Sequence, residues 1–151
     1  NKKFIINEID PHAKFVQENQ SMSKFNVLRG LHYQIQHQQI KLVRVLKGEI
    51  FDVVVDLRKK SLYFGKWFGF NISSKNKYQI YIPKGFAHGF YVKSNLAIIS
   101  YKVSDYWYPE YERSILWNDK SLDIKWQNRI KPLISIKDIN GKTFEKAEIF
   151  L

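Results

Sequence analysis

The sequence predicts an all-β fold, an antiparallel β-sandwich or barrel with short helical segments. Apolar and polar residues alternate with a period of two over much of the chain, and turn-forming residues interrupt this alternation at short intervals. Many short strands at close spacing are typical of antiparallel sandwiches and barrels. The composition supports a packed core, since 44% of the 151 residues are hydrophobic and 16% are aromatic.

The individual elements follow from this alternation and from its interruptions. A helix is predicted over 1–11, where apolar residues recur at helical spacing before a proline. Weaker strand and helix signals follow residue 126. Strands are predicted over 40–46, 49–57, 67–72, 78–82, 86–92 and 97–103, with turns at 47–48, 73–76, 83–85 and 94–95.

The turn at 47–48 predicts a hairpin between the strands on either side of it. If it is a two-residue loop, Leu46 pairs with Glu49. Lys41 then becomes a diagonal neighbour of Asp52 on the same face of the hairpin. A slip of one residue would exchange the two faces and undo this inference.

A second hairpin is predicted around 94–95. With a two-residue loop there, His88 lies directly opposite Tyr101. The two hairpins thus place four ionisable groups on strands whose alternation is otherwise apolar. Buried charge is costly unless it is paired or used, so a barrel interior that holds these groups is a candidate site. The alternative is that the four side chains face solvent on the outer surface.

The composition excludes several classes of protein. Without cysteine the chain has no disulfides or thiolate metal sites, and no apolar run reaches the length that spans a bilayer. No signal segment opens the chain, and we expect a cytoplasmic protein without a membrane partner. The net charge of +11 favours an anionic ligand. Most of the basic residues are scattered lysines, however, so no nucleic-acid partner is expected.

The string P-K-G-F-A-H at 83–88 has the form P-x-G-x-x-H and ends in His88. This form resembles a motif of the cupins, small β-barrels that often bind a metal. Cupins also carry an H-x-H pair, but here His32 is followed two positions later by Gln34. Because that ligand is missing, three first-row metal ligands are hard to assemble. We therefore expect no metal.

A closer resemblance runs through most of the chain as a series of short strings. They are 15–19, 26–34 (N-V-L-R-G-L-H-Y-Q), 41–43, 52–58, 83–90 (P-K-G-F-A-H-G-F), 101–102, 109, 117–119 and 135–138. In this order the strings resemble the dTDP-4-dehydrorhamnose 3,5-epimerase family, a metal-independent cupin family of nucleotide-sugar enzymes. Any one string is weak, but the ordered set is specific.

The resemblance also bears on the extent of the domain. Chains of this family usually begin earlier, with a strand region that carries an F-x-D-x-R-G-like segment. That segment is absent here, and the sequence begins with Asn1 instead of Met. We expect a single cupin-like epimerase domain over 1–151 that lacks the N-terminal strand region of its relatives.

The resemblance implies proton transfer at carbons next to a ketone. A base removes a proton, an enolate forms, and an acid returns a proton to the opposite face, without a cofactor. On the matching positions His32 is the base, Asp138 holds its other ring nitrogen, and Tyr101 is the acid. Lys41 is expected to stabilise the enolate oxygen, and Asp52 to orient Lys41.

Other residues are expected to bind the substrate. Arg29 suits the diphosphate, because its guanidinium fork matches phosphate oxygens. Tyr106 and Trp107 would stack on the nucleotide base, although relatives often carry Tyr at the second of these positions. The predicted substrate-binding residues are Arg29, Gln17, Asn19, Asp52, His88, Tyr106 and Trp107.

We therefore expect an isomerase that inverts C3, C5 or both in a dTDP-linked 4-keto-6-deoxy sugar, in the biosynthesis of a rhamnose-type deoxysugar. The family resemblance also implies a homodimer. Two alternatives stay open. The chain could be a cupin ketoisomerase or epimerase that acts on another nucleotide-linked ketosugar, or a cupin that binds sugar nucleotides or polyanions without catalysis. The sequence leaves the base, the sugar and the number of inverted carbons open.

Overall fold

The structure, a computed structural model, describes residues 10–11 and 13–151. The predicted helix over 1–11 lies outside this range except for its last two residues, which are not helical. No helix in this part of the chain is long and apolar enough to cross a membrane. The strands are β1 (Gln17–Lys24), β2 (Val27–Gln34), β3 (Lys41–Lys47), β4 (Glu49–Asp56), β5 (Trp67–Ser73), β6 (Gln79–Ile82), β7 (Phe86–Val92), β8 (Leu96–Val103), β9 (Glu112–Ser114) and β10 (Leu133–Ile134). The helical segments are α1 (Ile136–Ile139) and the 3-10 helices Pro109–Tyr111 and Phe144–Lys146.

The strands form two sheets that face each other. The smaller sheet has the order β1-β8-β3-β6, and the larger has the order β10-β2-β7-β4-β5, with β9 also paired to β2. The described strand pairings are antiparallel, except for the short parallel pairing between β10 and β2. The all-β prediction is confirmed, and each of the six predicted strands lies within one residue of its predicted bounds.

Two apolar layers flank the larger sheet. One lies between the sheets, where Val43 and Ile99 of the smaller sheet share a buried cluster with Ile50 of the larger. The other covers the outer face of the larger sheet and includes Val53 together with Trp126 from the C-terminal segment. Because both faces of β4 are buried, its sequence is a nearly continuous apolar run and does not alternate strictly between apolar and polar residues.

Both predicted hairpins are wrong, because the strands on either side of each turn lie in different sheets. β3 pairs with β6 and β8, whereas β4 pairs with β5 and β7. The chain crosses from the smaller to the larger sheet at the first turn, and it crosses from the larger to the smaller sheet at the second turn, between β7 and β8. Lys41 and Asp52 are therefore not diagonal neighbours. Likewise, His88 does not pair with Tyr101.

The physical cause of this error is that the two arrangements produce the same alternation. A strand that crosses to the facing sheet also points every second side chain into the shared core, just as a hairpin partner does. Gly48 permits the tight crossing with a φ of 84°. A Cβ at this position would lie 2.1 Å from the carbonyl oxygen of Leu96, which closes the space to any other residue.

Candidate active site

A cavity of about 380 Å3 lies between the sheets and is lined by residues of β1, β2, β3, β7 and β8. Its volume is within the range of small-molecule sites. Asp52 and Asp138 do not line the cavity but lie behind two of its histidines. Tyr106 does not line it either. The predicted site residues that line it are Gln17, Asn19, Arg29, His32, Lys41, His88, Tyr101 and Trp107.

His32 and Asp138 form a closely bonded pair. His32 lies on β2, and its Nε2 is 2.5 Å from Oδ1 of Asp138. Asp138 lies in α1 and is 2% exposed, and its Oδ2 accepts a hydrogen bond from the backbone N–H of Gly30 at 3.3 Å. The side chain of the N-cap residue Ser135 accepts from the backbone N–H of Asp138 and so fixes the start of the helix. Because Asp138 holds Nε2, Nδ1 is the ring nitrogen of His32 that can take a proton from a bound molecule.

The hydrogen bonds around Asp138 determine its charge. Burial alone would raise the pKa of Asp138, but the hydrogen bonds from His32 and from the backbone of Gly30 outweigh it and hold the pKa below its usual value. Asp138 is therefore an anion at neutral pH. An anion in this position orients the imidazole and stabilises the positive charge that His32 acquires when it takes a proton.

A bulge in β2 brings both Arg29 and His32 to the cavity. Residues three apart on a regular strand face opposite sides, but the register of β2 against β7 shifts between these two residues. Gly30 permits the shift, with a φ of 111°. A Cβ on Gly30 would lie 2.6 Å from Cα of Gly89, so the two strands approach closely only because this residue has no side chain.

A second histidine–aspartate pair lies next to the first. The register of β2 against β7 places His88 directly beside His32. Nε2 of His88 is 2.8 Å from Oδ2 of Asp52, whose side chain is fully buried. The other oxygen of Asp52, Oδ1, has no hydrogen-bond partner within the described residues. Asp52 therefore bonds His88 and acts on Lys41 through its charge.

Lys41 extends from β3, in the sheet opposite both histidines. Burial lowers the pKa of its ammonium to about 8, although the carboxylates of Glu112 and Asp52 oppose this shift by favouring the cation. At neutral pH Lys41 is therefore still mostly protonated. A cation held in a partly dehydrated cavity suits the stabilisation of a developing oxyanion.

Tyr101 lies on β8, also in the sheet opposite His32. Burial raises the pKa of its phenol, and the negative charge of Glu112 acts in the same direction, whereas Arg29 opposes the shift. Tyr101 thus keeps its proton at neutral pH and can donate it. Because the base and the phenol come from facing sheets, they approach a molecule in the cavity from opposite sides.

The predicted polar ligands lie around these groups. Arg29 is exposed where it lines the cavity, and its Nη2 is 3.5 Å from the carbonyl oxygen of Met22. Gln17 and Asn19 lie on the inner face of β1, where Nε2 of Gln17 donates to Oδ1 of Asn19 at 2.6 Å. These residues give the cavity a cationic group and two amides that can bind phosphate and hydroxyl oxygens.

Glu112 lines the cavity but was not predicted from the sequence. Its Oε2 accepts from Nε1 of Trp107 at 3.0 Å and pairs with Nζ of Lys137 at 2.5 Å. Burial would raise the pKa of Glu112, but the bonds from Lys137 and Trp107 outweigh it and lower the pKa. The pairing of β9 with β2 brings Glu112 to the site. No local signal in the sequence separates it from its neighbour Glu110.

Gln34 occupies the position where a cupin would carry the second histidine of its metal site. Its carboxamide bonds three backbone groups of nearby loops, which leaves it poorly placed to act as a ligand. Over residues 10–11 and 13–151, the structure contains no cluster of three or more His, Cys, Asp or Glu side chains that could hold a metal ion.

Known proteins share both the sequence and the fold of this chain. The profile of the dTDP-4-dehydrorhamnose 3,5-epimerase family matches residues 1–146. A dTDP-4-dehydrorhamnose 3,5-epimerase of Pseudomonas aeruginosa is 54% identical over 138 residues, which cover 91% of this chain and 76% of the relative. A relative of the same name from Neisseria gonorrhoeae is 53% identical over 134 residues. That match covers 89% of this chain but only 41% of the longer relative.

A solved structure extends this similarity to the fold. The dTDP-6-deoxy-D-glucose-3,5-epimerase of Legionella pneumophila Philadelphia 1, in complex with dTDP-4-keto-L-rhamnose, matches with a TM-score of 0.92 and 47% sequence identity. The match covers 97% of this chain and 78% of that one. Sequence profile, relatives and fold agree, and the chain belongs to the dTDP-4-dehydrorhamnose 3,5-epimerase family.

Proposed function

We propose that this chain is an isomerase that inverts C3, C5 or both in a dTDP-linked 4-keto-6-deoxyhexose. The observation that carries the proposal is the cavity with the His32–Asp138 pair on one wall and Tyr101 and Lys41 on the other. Inversion at a carbon requires removal of a proton on one side and return of a proton on the other, and this arrangement provides both groups.

In the proposed reaction, Nδ1 of His32 takes the proton from the carbon next to the C4 ketone. The electron pair of the broken C–H bond moves to the carbonyl oxygen, and Lys41 stabilises the enolate that forms. The phenol of Tyr101 then gives its proton to the opposite face of the same carbon, as the enolate returns to the ketone. Proton exchange with solvent restores the imidazole and the phenol for the next turnover.

The remaining cavity residues suit the nucleotide part of the substrate. Arg29 is the proposed diphosphate ligand, and Trp107 is the proposed stacking partner of the base. Gln17 and Asn19 are proposed to bind sugar or nucleotide hydroxyls. Tyr106 lies outside the cavity lining, so we assign the stacking role to Trp107 alone.

Deuterium exchange tests the proposal directly. With dTDP-4-keto-6-deoxyglucose in deuterated water, the chain should introduce deuterium at C3, C5 or both, which NMR of the sugar protons detects. Absence of exchange at both carbons would show that the proposed substrate is wrong. A panel of other nucleotide-linked ketosugars then separates a different substrate from a cupin that binds sugar nucleotides without catalysis.

We predict that Tyr101→Phe separates exchange from inversion. The variant lacks the phenolic proton but retains the base, so deuterium should still enter the sugar while the inverted product falls by about a hundredfold. The measurement is NMR of product stereochemistry and of deuterium content in the same sample. Tyr78→Phe is the matched control, since Tyr78 is exposed and lies outside the cavity lining, and it should leave both rates unchanged. Equal loss of exchange and inversion in Tyr101→Phe would contradict the assigned role.

The homodimer and the cytoplasmic location both remain predictions. Sedimentation equilibrium measures the mass of the particle in solution and therefore tests the first. The single catalytic domain over 1–151 is likewise proposed, and it predicts one cooperative unfolding transition in denaturant.

A further inference from the structure

The side chain of Gln34 connects the end of β2 to two loops beside the cavity. The residue is 6% exposed. Its Nε2 donates to the carbonyl oxygens of His37 at 2.7 Å and of Tyr106 at 3.2 Å. Its Oε1 accepts from the backbone N–H of Tyr108 at 2.7 Å. Both hydrogens and the oxygen of the carboxamide are thus used on main-chain groups, and the bonds to Tyr106 and Tyr108 lie on either side of Trp107.

The loop after β2 and the loop after β8 are joined at further points. Nε2 of Gln39 donates to the carbonyl oxygen of Asp105 at 2.9 Å. The backbone N–H of Ile40 donates to the hydroxyl of Ser104 at 2.8 Å, and the N–H of Ser104 returns a bond to the carbonyl of Ile40 at 3.1 Å. These bonds secure the beginning of the second loop. Nε2 of Gln39 also donates to the carbonyl oxygen of Tyr106 at 3.2 Å, so Gln34 and Gln39 share that acceptor before Trp107. The side-chain bond to the backbone N–H of Tyr108, after Trp107, comes from the buried carboxamide of Gln34.

We propose that Gln34 is a positioning residue, which sets the backbone of Trp107 and thereby the wall of the cavity that binds the nucleotide. The inference rests on the proposed function, because it takes Trp107 to be the contact for the base. Trp107 is 57% exposed and therefore gains little restraint from packing, so its place depends on its backbone and on the bond from its Nε1 to Glu112.

The chemistry of the carboxamide explains why this position holds Gln. The site requires two N–H donors and one acceptor at the same time. A neutral imidazole has one of each, and a carboxylate has no donor. A histidine at position 34 would restore the H-x-H pattern with His32 but would break at least one of the three bonds. In this chain, the residue at the position of the cupin metal ligand therefore holds the cavity wall that binds the nucleotide.

A double-mutant cycle tests the inference. The variants are Gln34→Met, Trp107→Ala and the double variant, and the probe is dTDP alone, titrated by calorimetry. Gln34→Met keeps the length and the apolar part of the side chain but removes all three bonds. We expect the Kd for dTDP to rise about tenfold, with kcat for deuterium exchange within about threefold of the original. In the Trp107→Ala background, Gln34→Met should cause no further loss of affinity.

The control is Gln36→Met, the same substitution at an exposed residue of the same loop, which should bind dTDP like the unaltered chain. If Gln34→Met does not fold, Gln34→Glu takes its place, because it keeps the acceptor for Tyr108 and loses both donors. Unchanged affinity in the Gln34 variant, additive losses in the cycle, or a fall in kcat without a change in Kd would each overturn the inference. Failure of the proposed function shows instead in the unaltered chain, as absence of exchange or of dTDP binding.

Discussion

His32→Asn is expected to lower deuterium exchange at both C3 and C5 by about a thousandfold or more. Asparagine fills similar space but has no group that takes a proton near neutral pH. His32 is held by its buried carboxylate in the wall that faces Tyr101, and we expect this base to serve both carbons, while His88 on Asp52 lines the cavity. Time-resolved NMR in deuterated water measures the two exchange rates separately.

The binding of dTDP serves as the control for His32→Asn. The base acts on the sugar, whereas the nucleotide is assigned to Arg29 and Trp107, so the variant should bind dTDP with unchanged affinity.

Asp138→Asn should lower exchange by about a hundredfold, because a carboxamide can hold the wrong tautomer of the His32 ring. The double variant should be no slower than His32→Asn alone, since Asp138 acts only through His32. Exchange that persists at one carbon in His32→Asn would mean that a second base serves it.

The strands that could be predicted from the sequence are those with apolar side chains on at least one face. β1 was not predicted, because its sequence is almost entirely polar and it lies at the edge of the smaller sheet. β2 was not predicted as a strand either. Its alternation is interrupted by the bulge at Gly30, where two positions that should face opposite sides both reach the cavity. Period-two patterns cannot reveal a bulge, because a bulge is the point at which the period fails.

The sequence brought several candidate site residues together, but through the wrong geometry. Lys41, His88 and Tyr101 do line one cavity, but they reach it from facing sheets and not through hairpin partners. The pairing of His32 with Asp138 spans 106 positions in the chain, and only the family resemblance indicated it. Such contacts depend on how the C-terminal segment folds back over the larger sheet, which no local pattern encodes.

The arrangement in two sheets has a consequence for the chemistry. The base and its carboxylate belong to the larger sheet and its covering segment, whereas the acid and the enolate-stabilising cation belong to the smaller sheet. Packing between the sheets therefore fixes the distance between proton removal and proton return. Substitutions in the shared apolar layer, such as at Ile99 or Val43 beside the cavity, would alter this distance without touching the reacting groups.

Lys41→Met is expected to lower kcat for exchange by a hundredfold to a thousandfold at neutral pH, since it removes the cation that faces the enolate oxygen (about 3 to 4 kcal/mol). The same lysine should set the upper limit of the pH range in which the chain is active. Its pKa is lowered to about 8, so the protonated fraction falls as the pH rises through 8, and kcat/KM should fall with it. Tyr101 cannot cause this decline in kcat/KM near pH 8, because burial raises its pKa above the ordinary value for tyrosine.

Two variants distinguish this assignment from a general effect of charge. Lys41→Arg keeps a cation that does not titrate below pH 12, so the decline near pH 8 should disappear even if the rate is lower throughout. Lys47→Met removes a lysine from the exposed end of the same strand and should leave both the rate and the pH profile unchanged. If kcat/KM still declines near pH 8 in Lys41→Arg, a group other than Lys41 causes the decline. A Lys41→Met rate close to that of the unaltered chain would show that the enolate oxygen is stabilised elsewhere, with His88 as the next candidate on the opposite wall.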